Sequence, residues 1–419
     1  MKMNKLTVAI LIAMLLGIVT GQGYRLLAPA QAAGFADDIT LLTDIFLRLI
    51  KMIIAPLVFT TLVVGIAKMG DTRTVGRIGV KTLGWFMLAS LMSLTLGLVM
   101  VHLMQPGVGL SLSLPDDGAS SGVLATAISL KDFVTHAIPK SVVEAMATNE
   151  ILQIVVFSLF FGLAAAALGD DAKPVVKLMA SGAEIMLKVT GYVMNFAPFA
   201  VFGAIAAMVA KEGLGILATY GTFMAQFYLA LGCLWLLLIA MGSLFIRRRI
   251  LTLLALIREP ILLAFSTASS EAAYPKTLDR LEKFGCDKRI ASFVLPMGYS
   301  FNLDGSMMYC TFAVMFIAQA YGIELSTAQQ ITMLLLLMVT SKGMAGVPRA
   351  SLVVIAATLN QFHIPEAGIL LLLGIDHFLD MGRSATNVLG NAIAASVVAK
   401  SEDSLAETAP LGEVDTAKA

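Results

Sequence analysis

The strongest constraint on the fold is a stripe of polar residues inside an apolar stretch near the carboxy terminus. Between the apolar flanks LLLLGI and AIAASVVA, polar residues follow one another at steps of 4, 3, 4 and 4 positions: Asp376, Asp380, Arg383, Asn387 and Asn391. At 3.6 residues per turn, these steps place all five side chains on one face of a helix. Ionisable groups at membrane depth are costly unless they are paired or face a polar cavity. The stripe therefore predicts an intramembrane site lined by Arg383 and two carboxylates, or else a structural ion pair that locks two helices.

The composition of the chain indicates a membrane protein. Of its 419 residues, 58% are hydrophobic and 14% are charged, and the mean hydropathy is +0.86; soluble domains carry about 25% charged residues. The three cysteines and four histidines form no metal-binding or redox spacing. No phosphate-binding loop, nucleophile elbow or dinucleotide fingerprint is present in the sequence. We therefore expect an integral protein of the lipid bilayer that has no cofactor, is not an enzyme and binds no nucleic acid.

Six apolar stretches in the first part of the chain are long enough to cross a bilayer. They lie near 6–27, 43–69, 78–104, 149–169, 185–210 and 216–246. The loops at 68–81 and 246–248 and the run 276–289 are basic, so the positive-inside rule makes them cytoplasmic. This topology predicts a cytoplasmic amino terminus, and we expect the carboxy terminus to be cytoplasmic as well. The first stretch is interpreted as a retained helix, with a cleaved signal peptide as the alternative.

After residue 249, apolar arms alternate with polar interruptions. Segment 250–284 is apolar, breaks at Pro260 and reaches the small polar patch 266–271 between basic flanks. This pattern predicts a re-entrant hairpin, with an extramembrane turn as the alternative. Segment 326–361 repeats the pattern around a tip at 340–351.

Between the two hairpins, segment 290–319 is a spanning helix interrupted by SFNLDGS at 300–306. Asn, Asp and Gly in succession disfavour a helix interior, and the freed carbonyls and side-chain oxygens suit a hard cation. Paired interrupted segments of this kind predict an inverted repeat with a transporter site at the bilayer midplane.

Four motifs in this region carry a resemblance to a known family. STASSEAAYP, GYSFNLDGS, SKGMAGVP and DMGRSATNVLGN occur in that order. They resemble the signature motifs of the dicarboxylate/amino acid:cation symporter family, particularly those of bacterial proton- or sodium-coupled glutamate–aspartate carriers. The resemblance implies an all-α polytopic membrane protein with eight transmembrane helices, two re-entrant helical hairpins, inverted repeats and an elevator mechanism. It also implies a homotrimer in the bacterial cytoplasmic (inner) membrane.

The resemblance further implies a division into a fixed scaffold and a moving transport domain. Residues 1–77 would form scaffold helices 1 and 2, residues 78–105 transport-domain helix 3, and residues 106–212 scaffold helices 4 and 5. Residues 213–400 would complete the transport domain with helix 6, hairpin 1, helix 7, hairpin 2 and helix 8. Residues 401–419 would be a disordered cytoplasmic tail.

The resemblance assigns substrate contacts to both hairpins and to the two polar helices. Arg383 matches the arginine that pairs with the side-chain carboxylate of an acidic substrate, and Asp380 matches the aspartate that holds its amino group. Asn387 matches an asparagine that contacts substrate beside a cation site. The other matching positions are Ser269, Ser270, Ser306, Gly346, Val347 and Ser384. A guanidinium fork suits a carboxylate, and an ionised Asp380 requires a cationic group that a simple dicarboxylate lacks.

The cation ligands implied by the resemblance belong to two sites. The positions of the first are Gly298, Asn302, Asp304 and Asn387, with Asn391 beside them, and those of the second are Ser300, Ser341 and Gly343. Sodium-coupled members carry an aspartate at the position of Asn391 and a threonine at that of Ala89, and Met344 replaces another hydroxyl ligand. This chain retains the oxygen ligands of Ser90 and Asp304. Fewer oxygen ligands favour proton coupling, with sodium coupling as the alternative.

Two charged residues near the hairpin tips, Glu271 and Arg349, can each be interpreted in two ways. Glu271 is a candidate proton carrier, because a carboxyl beside a poorly solvated cavity holds a proton more readily; the alternative is a hydrogen bond that stabilises the hairpin. Arg349 either adds positive charge near an anionic substrate or faces solvent at the gate. Asp376 has no role beyond that of a structural partner near the cation region.

The sequence thus predicts a secondary-active symporter that imports glutamate or aspartate with H⁺ or Na⁺. The alternative is a symporter of the same fold for C4-dicarboxylates such as succinate, fumarate or malate, which usually lacks an aspartate at the position of Asp380. Neutral amino acids are disfavoured by Arg383. A channel or receptor would need a pore-lining ring or a sensor domain, and neither is evident in the sequence.

Overall fold

The computed structural model describes residues 5–69, 72–108, 137–214, 220–341, 350–373 and 375–406. Within these ranges the chain forms helices joined by short turns, and a β-bridge joins Cys286 to Leu405. Seven of the described helical stretches are long and apolar enough to span a membrane. The prediction of an all-α polytopic membrane protein is confirmed. The number of eight transmembrane helices, the inverted repeat and the elevator mechanism stay predictions.

The helices are numbered in chain order. The first half contains α1 Lys5–Leu27, α2 Ala32–Met69, α3 Thr72–Met104, α4 Val142–Ala147, α5 Ile151–Leu168, α6 Lys173–Val193 and α7 Ala197–Glu212. The second half contains α8 Gly221–Ile246, α9 Arg249–Thr267, α10 Tyr274–Phe284, α11 Lys288–Phe301, α12 Asp304–Ala320, α13 Thr327–Thr340, α14 Ala350–Gln361, α15 Leu370–Leu373 and α16 Asp376–Ser401.

These helices pack in two groups. In the first group, α2 contacts α1, α5, α6 and α7. The second group contains the helices of the second half together with α3. Although α3 belongs to the first half, it packs along α12 and also contacts α8, α13 and α16. The two groups meet where α11 packs on α2 and α5 and where α9 packs on α7. The assignment of these groups to a scaffold and a transport domain stays a prediction.

Two of the polar interruptions that the sequence predicts in the second half lie within the described residues, and both are present. Hairpin 1 has the arms α9 and α10, joined through the 3-10 turn Glu271–Ala273. Asn302 and Leu303 separate α11 from α12. Hairpin 2 has the arms α13 and α14, and its residues 342–349 lie outside the described ranges. The polar stripe lies on α16, and all five of its residues are buried.

Two details of the sequence prediction are wrong, and both involve prolines. Pro260 does not break hairpin 1, since α9 continues through it to Thr267 and is capped by Ala268, which has a left-handed φ of 48°. The predicted span 185–210 is instead two helices, α6 and α7, separated by the 3-10 turn Met194–Phe196. Pro198 lies in the first turn of α7, where a missing amide hydrogen costs no helical bond.

Polar contacts tie the end of α16 to its neighbours. Glu402 accepts hydrogen bonds from Arg77 at 2.7 Å and Lys81 at 2.5 Å, both on α3. Ala406 N donates to Gly285 O at 2.9 Å, next to the bridge between Cys286 and Leu405. The hydrogen bonds from Arg77 and Lys81 hold the pKa of Glu402 below its usual value.

The first prediction concerns the close packing of α1 on α7. A Cβ added at Gly21 would lie 2.5 Å from Ala206 O and 2.9 Å from Val209 Cβ. We expect Gly21→Val to lower the midpoint of thermal unfolding of the purified protein, because overpacking costs about 1–3 kcal/mol. No atom lies within 4 Å of a Cβ added at Gly23, so Gly23→Val is the matched control. Equal midpoints for the two variants would contradict this packing.

The second prediction concerns the dependence of stability on pH. The lowered pKa of Glu402 means that its carboxylate stabilises the fold above the unfolded pKa of about 4.3, and that this stabilisation is lost as pH falls through the folded pKa. We expect Glu402→Gln to lower the thermal midpoint at neutral pH, and the difference from wild type to shrink in acid. Glu324→Gln, at an exposed carboxylate, is the control. A difference for Glu402→Gln that stays constant with pH would refute the assignment.

Candidate functional site

The break between α11 and α12 brings together buried oxygen and amide groups. Asn302 Nδ2 donates to Asp304 Oδ2 at 3.0 Å and to Asn391 Oδ1 at 3.1 Å. On the other side, Ser93 Oγ of α3 donates to Asp304 Oδ1 at 3.2 Å. Asn302 Oδ1 is buried and has no hydrogen-bond partner among the described residues. A carboxylate with a free amide oxygen beside it is the donor set that a hard cation prefers.

Two glycines allow α16 to approach this break. A Cβ at Gly390 would overlap Asp304 Oδ2, and a Cβ at Gly298 would overlap Asn391 Oδ1. Any side chain at these positions would displace the carboxylate or the amide. The polar groups of the three helices therefore converge because these two positions carry no side chain.

Arg383 is the centre of a second buried cluster, on the same face of α16. Its Nη2 forms ion pairs with Asp376 Oδ1 at 3.1 Å and Asp380 Oδ1 at 3.0 Å. Its guanidinium carbon lies 4.0 Å above the ring of Tyr309, whose hydroxyl donates to Asp376 Oδ1 at 3.1 Å. These ion pairs join residues of the same helix, α16. The alternative interpretation of the stripe is an ion pair that locks two helices together, and these contacts do not form one.

The Arg383 cluster leaves hydrogen-bonding groups unused. Arg383 Nε and Nη1 are buried and have no acceptor among the described residues. Asp376 Oδ2 is also buried and has no donor among them. The Arg383 side chain is only 1% exposed, so bulk solvent does not reach these donors, whereas the Asp380 side chain is 12% exposed. Unpaired donors of a buried guanidinium are costly. The arrangement is suited to a further carboxylate on Arg383 and to a cationic group beside Asp380.

Asn387 links the two clusters. Its Oδ1 accepts from Gly305 N at 2.9 Å, and its Nδ2 donates to Ser306 Oγ at 3.3 Å. Both partners lie at the start of α12, directly after Asp304. Ser384 is buried on the same helix as Asn387. Asn387 thus lies between the two clusters and contacts the start of α12.

The predicted residues of hairpin 1 lie at its turn. Ser269 Oγ accepts from Ala272 N at 3.3 Å and closes the turn, and Ser270 is buried. Glu271 is half-buried in the 3-10 turn and interacts electrostatically with Tyr299 of α11. These contacts are compatible with both roles considered for Glu271, proton carrier and hairpin stabiliser.

The predicted residues of hairpin 2 lie mostly outside the described ranges: Gly343, Met344, Gly346, Val347 and Arg349. Ser341 is described, and its buried Oγ has no partner among the described residues. Ser300 is buried at the end of α11. The predicted second cation site is thus only partly described, and its assignment stays a prediction.

Three residues of the site were missed or left without a role by the sequence reasoning. Asp376 is a direct partner of Arg383, and the spacing of seven residues, two helical turns, was the available signal. Tyr309, whose ring stacks on Arg383, gave no signal, because aromatic residues are common in buried helices. The serine that reaches Asp304 is Ser93, whereas Ser90, noted in the sequence, donates to the carbonyl of Phe86.

Comparison with known proteins assigns the family. The model of the sodium:dicarboxylate symporter family matches residues 6–401. The chain is 41% identical over 406 residues to the proton/sodium-glutamate symport protein of Bacillus caldotenax, which covers 94% of this chain and 93% of the relative. It is 38% identical over 396 residues to the proton/glutamate-aspartate symporter of Bacillus subtilis (strain 168), covering 94% of each.

A relative with a different named substrate is similar over an even longer stretch. The C4-dicarboxylate transport protein of Bacillus subtilis (strain 168) is 36% identical over 423 residues, covering 100% of this chain and 99% of the relative. The family model and these alignments agree with the resemblance seen in the four motifs. The chain belongs to the sodium:dicarboxylate symporter family.

Proposed function

We propose that this protein is a secondary-active symporter that imports glutamate or aspartate together with a cation, H⁺ in preference to Na⁺. The substrate class rests on Arg383, which is buried next to the carboxylate of Asp380 and has two donor nitrogens without an acceptor among the described residues. An acidic amino acid supplies a carboxylate for the guanidinium and an ammonium for the aspartate. The names of the relatives from Bacillus caldotenax and Bacillus subtilis support this choice.

The proposed recognition has a clear electrostatic basis. Asp376 and Asp380 together carry two negative charges against the one positive charge of Arg383. A substrate carboxylate on Arg383 is therefore accepted most readily when a positive group is delivered to Asp380 at the same time. Ser270, Ser306, Ser384 and Asn387 would take the second carboxylate with hydroxyl and amide groups.

The coupling cation is proposed to act at the break between α11 and α12. The free Oδ1 of Asn302 and the carboxylate of Asp304 would bind a hard cation there. Because Asn391 carries no charge, a sodium ion at this break would meet one carboxylate from the described residues instead of two. This supports proton coupling, with Glu271 as the proposed carrier.

A second candidate function is C4-dicarboxylate transport. The full-length similarity to the C4-dicarboxylate transport protein of Bacillus subtilis favours it. Asp380 argues against it, since a dicarboxylate would bring its second negative charge towards this aspartate and supply no ammonium. We therefore rank it below acidic amino acids.

Transport itself is proposed to follow the elevator mechanism. The group of α3 and α8–α16 would move as one body against α1, α2 and α4–α7, within a homotrimer in the cytoplasmic membrane with both termini inside. Binding of cation and substrate at sites joined by Asn387 would couple the cation gradient to substrate accumulation.

The third prediction tests the substrate assignment. Asp380→Asn should weaken aspartate binding by roughly 30-fold, because it removes a charged hydrogen bond worth about 2 kcal/mol. Arg383→Ala should shift uptake towards neutral amino acids. The apparent affinity for aspartate and the substrate preference are both measured from the uptake of labelled aspartate, serine and succinate into liposomes. Asp279→Asn, at a partly exposed carboxylate of α10, is the control. Normal aspartate uptake by both site variants would show that the stripe is structural, and succinate uptake without competition by aspartate would favour the second candidate.

The fourth prediction tests the coupling ion. In liposomes with separately imposed gradients, a proton gradient should drive aspartate uptake by the wild type without sodium. Asn391→Asp should add a sodium-stimulated component, since it returns the carboxylate that sodium-coupled members carry. Uptake by the wild type that requires sodium and ignores the proton gradient would overturn the coupling assignment and leave the substrate assignment intact.

A further inference from the structure

A large apolar groove lies outside the site described above, between α8, α9 and α16. Its volume is about 640 Å³, within the range of small-molecule sites. Apolar side chains from α8 and α9 form its walls, among them Leu231, Trp235, Leu254, Ile261 and Phe265. Its floor is the back of α16, at Gly382, Ala385 and Thr386, where Trp235 Nε1 donates to Thr386 Oγ1 at 2.8 Å.

One charged residue, Arg258, lines this groove. Its side chain is half-buried and forms no ion pair or hydrogen bond with any described residue. Its neighbour Glu259 points to the other arm of hairpin 1, where it pairs with Arg280 at 2.5 Å and Lys276 at 3.2 Å. Counted from the start of α9 at Arg249, Arg258 lies about 13 Å along the helix. An unpaired cation at that depth, beside apolar walls, is costly.

The surface beside the groove is apolar and exposed. On the helices that form its walls, Leu229, Leu236 and Leu251 are 59%, 70% and 68% exposed. In a membrane protein, such large exposed apolar side chains face acyl chains. The junction of α8 and α9, at the cytoplasmic end by the positive-inside rule, adds the exposed Arg247 and Arg248.

We propose that the groove is a binding site for an anionic phospholipid, with an acyl chain between α8 and α9 and the headgroup phosphate on Arg258. The phosphate would accept a charge-assisted hydrogen bond from Arg258, which has no acceptor among the described residues. The basic junction raises the local concentration of anionic headgroups. The bound lipid contacts the back of the helix that carries Asp380 and Arg383, and this proposal does not depend on which substrate they bind.

The test uses the fluorescence of Trp235, which lines the groove. The chain has two tryptophans, so Trp85→Phe makes Trp235 the sole emitter. The purified protein is reconstituted into phosphatidylcholine vesicles containing either brominated phosphatidylglycerol or brominated phosphatidylcholine, and quenching is compared at equal mole fractions. We expect an apparent preference of about fivefold for the brominated anionic lipid, since one arginine contributes about 1 kcal/mol.

The variants separate the groove from general surface charge. Arg258→Gln should abolish the preference, Arg258→Lys should retain most of it, and Arg73→Gln, at an exposed arginine of α3, should leave it unchanged. Gly232→Leu should reduce quenching by both lipids, because it fills the groove at a position where a Cβ meets no atom within 4 Å. Equal quenching of the wild-type groove by both lipids, or a preference that survives Arg258→Gln, would overturn the proposal.

Discussion

The buried guanidinium of Arg383 is the interaction on which the rest of the structure depends. A cation inside a helix bundle needs compensation, and Asp376, Asp380 and the ring of Tyr309 supply part of it. Both ion pairs use Nη2 and the tyrosine ring stacks on the face of the guanidinium, so Nε and Nη1 have no acceptor among the described residues. The cluster is therefore stable enough to fold and incomplete enough to bind an anionic group.

The proposed cation and substrate regions are separate, and Asn387 lies between them. Asn302 and Asp304 form the break between α11 and α12, and Asn387 hydrogen-bonds both to the backbone and to a side chain directly after it. A cation bound at the break would lie next to the start of α12, which would form one wall of the proposed substrate region. Reciprocal coupling of the two ligands requires such a shared element.

The sequence predicted the helical stripe, both hairpins and the broken helix, because periodicity and helix-disfavouring residues act locally. It placed a break at Pro260, through which α9 continues, and it overlooked the division of the span 185–210 before Pro198, which lies in the first turn of a new helix. It also missed Tyr309 and Ser93, whose roles come from contacts between helices distant in sequence. Tertiary partners of this kind leave no periodic signal.

The most direct test of the central claim is a cryo-EM structure of the protein with L-aspartate bound. We expect a substrate carboxylate within hydrogen-bond distance of Arg383 Nε and Nη1, and the substrate ammonium on Asp380. Density for aspartate elsewhere, with Arg383 still bound only to Asp376, Asp380 and Tyr309, would contradict it.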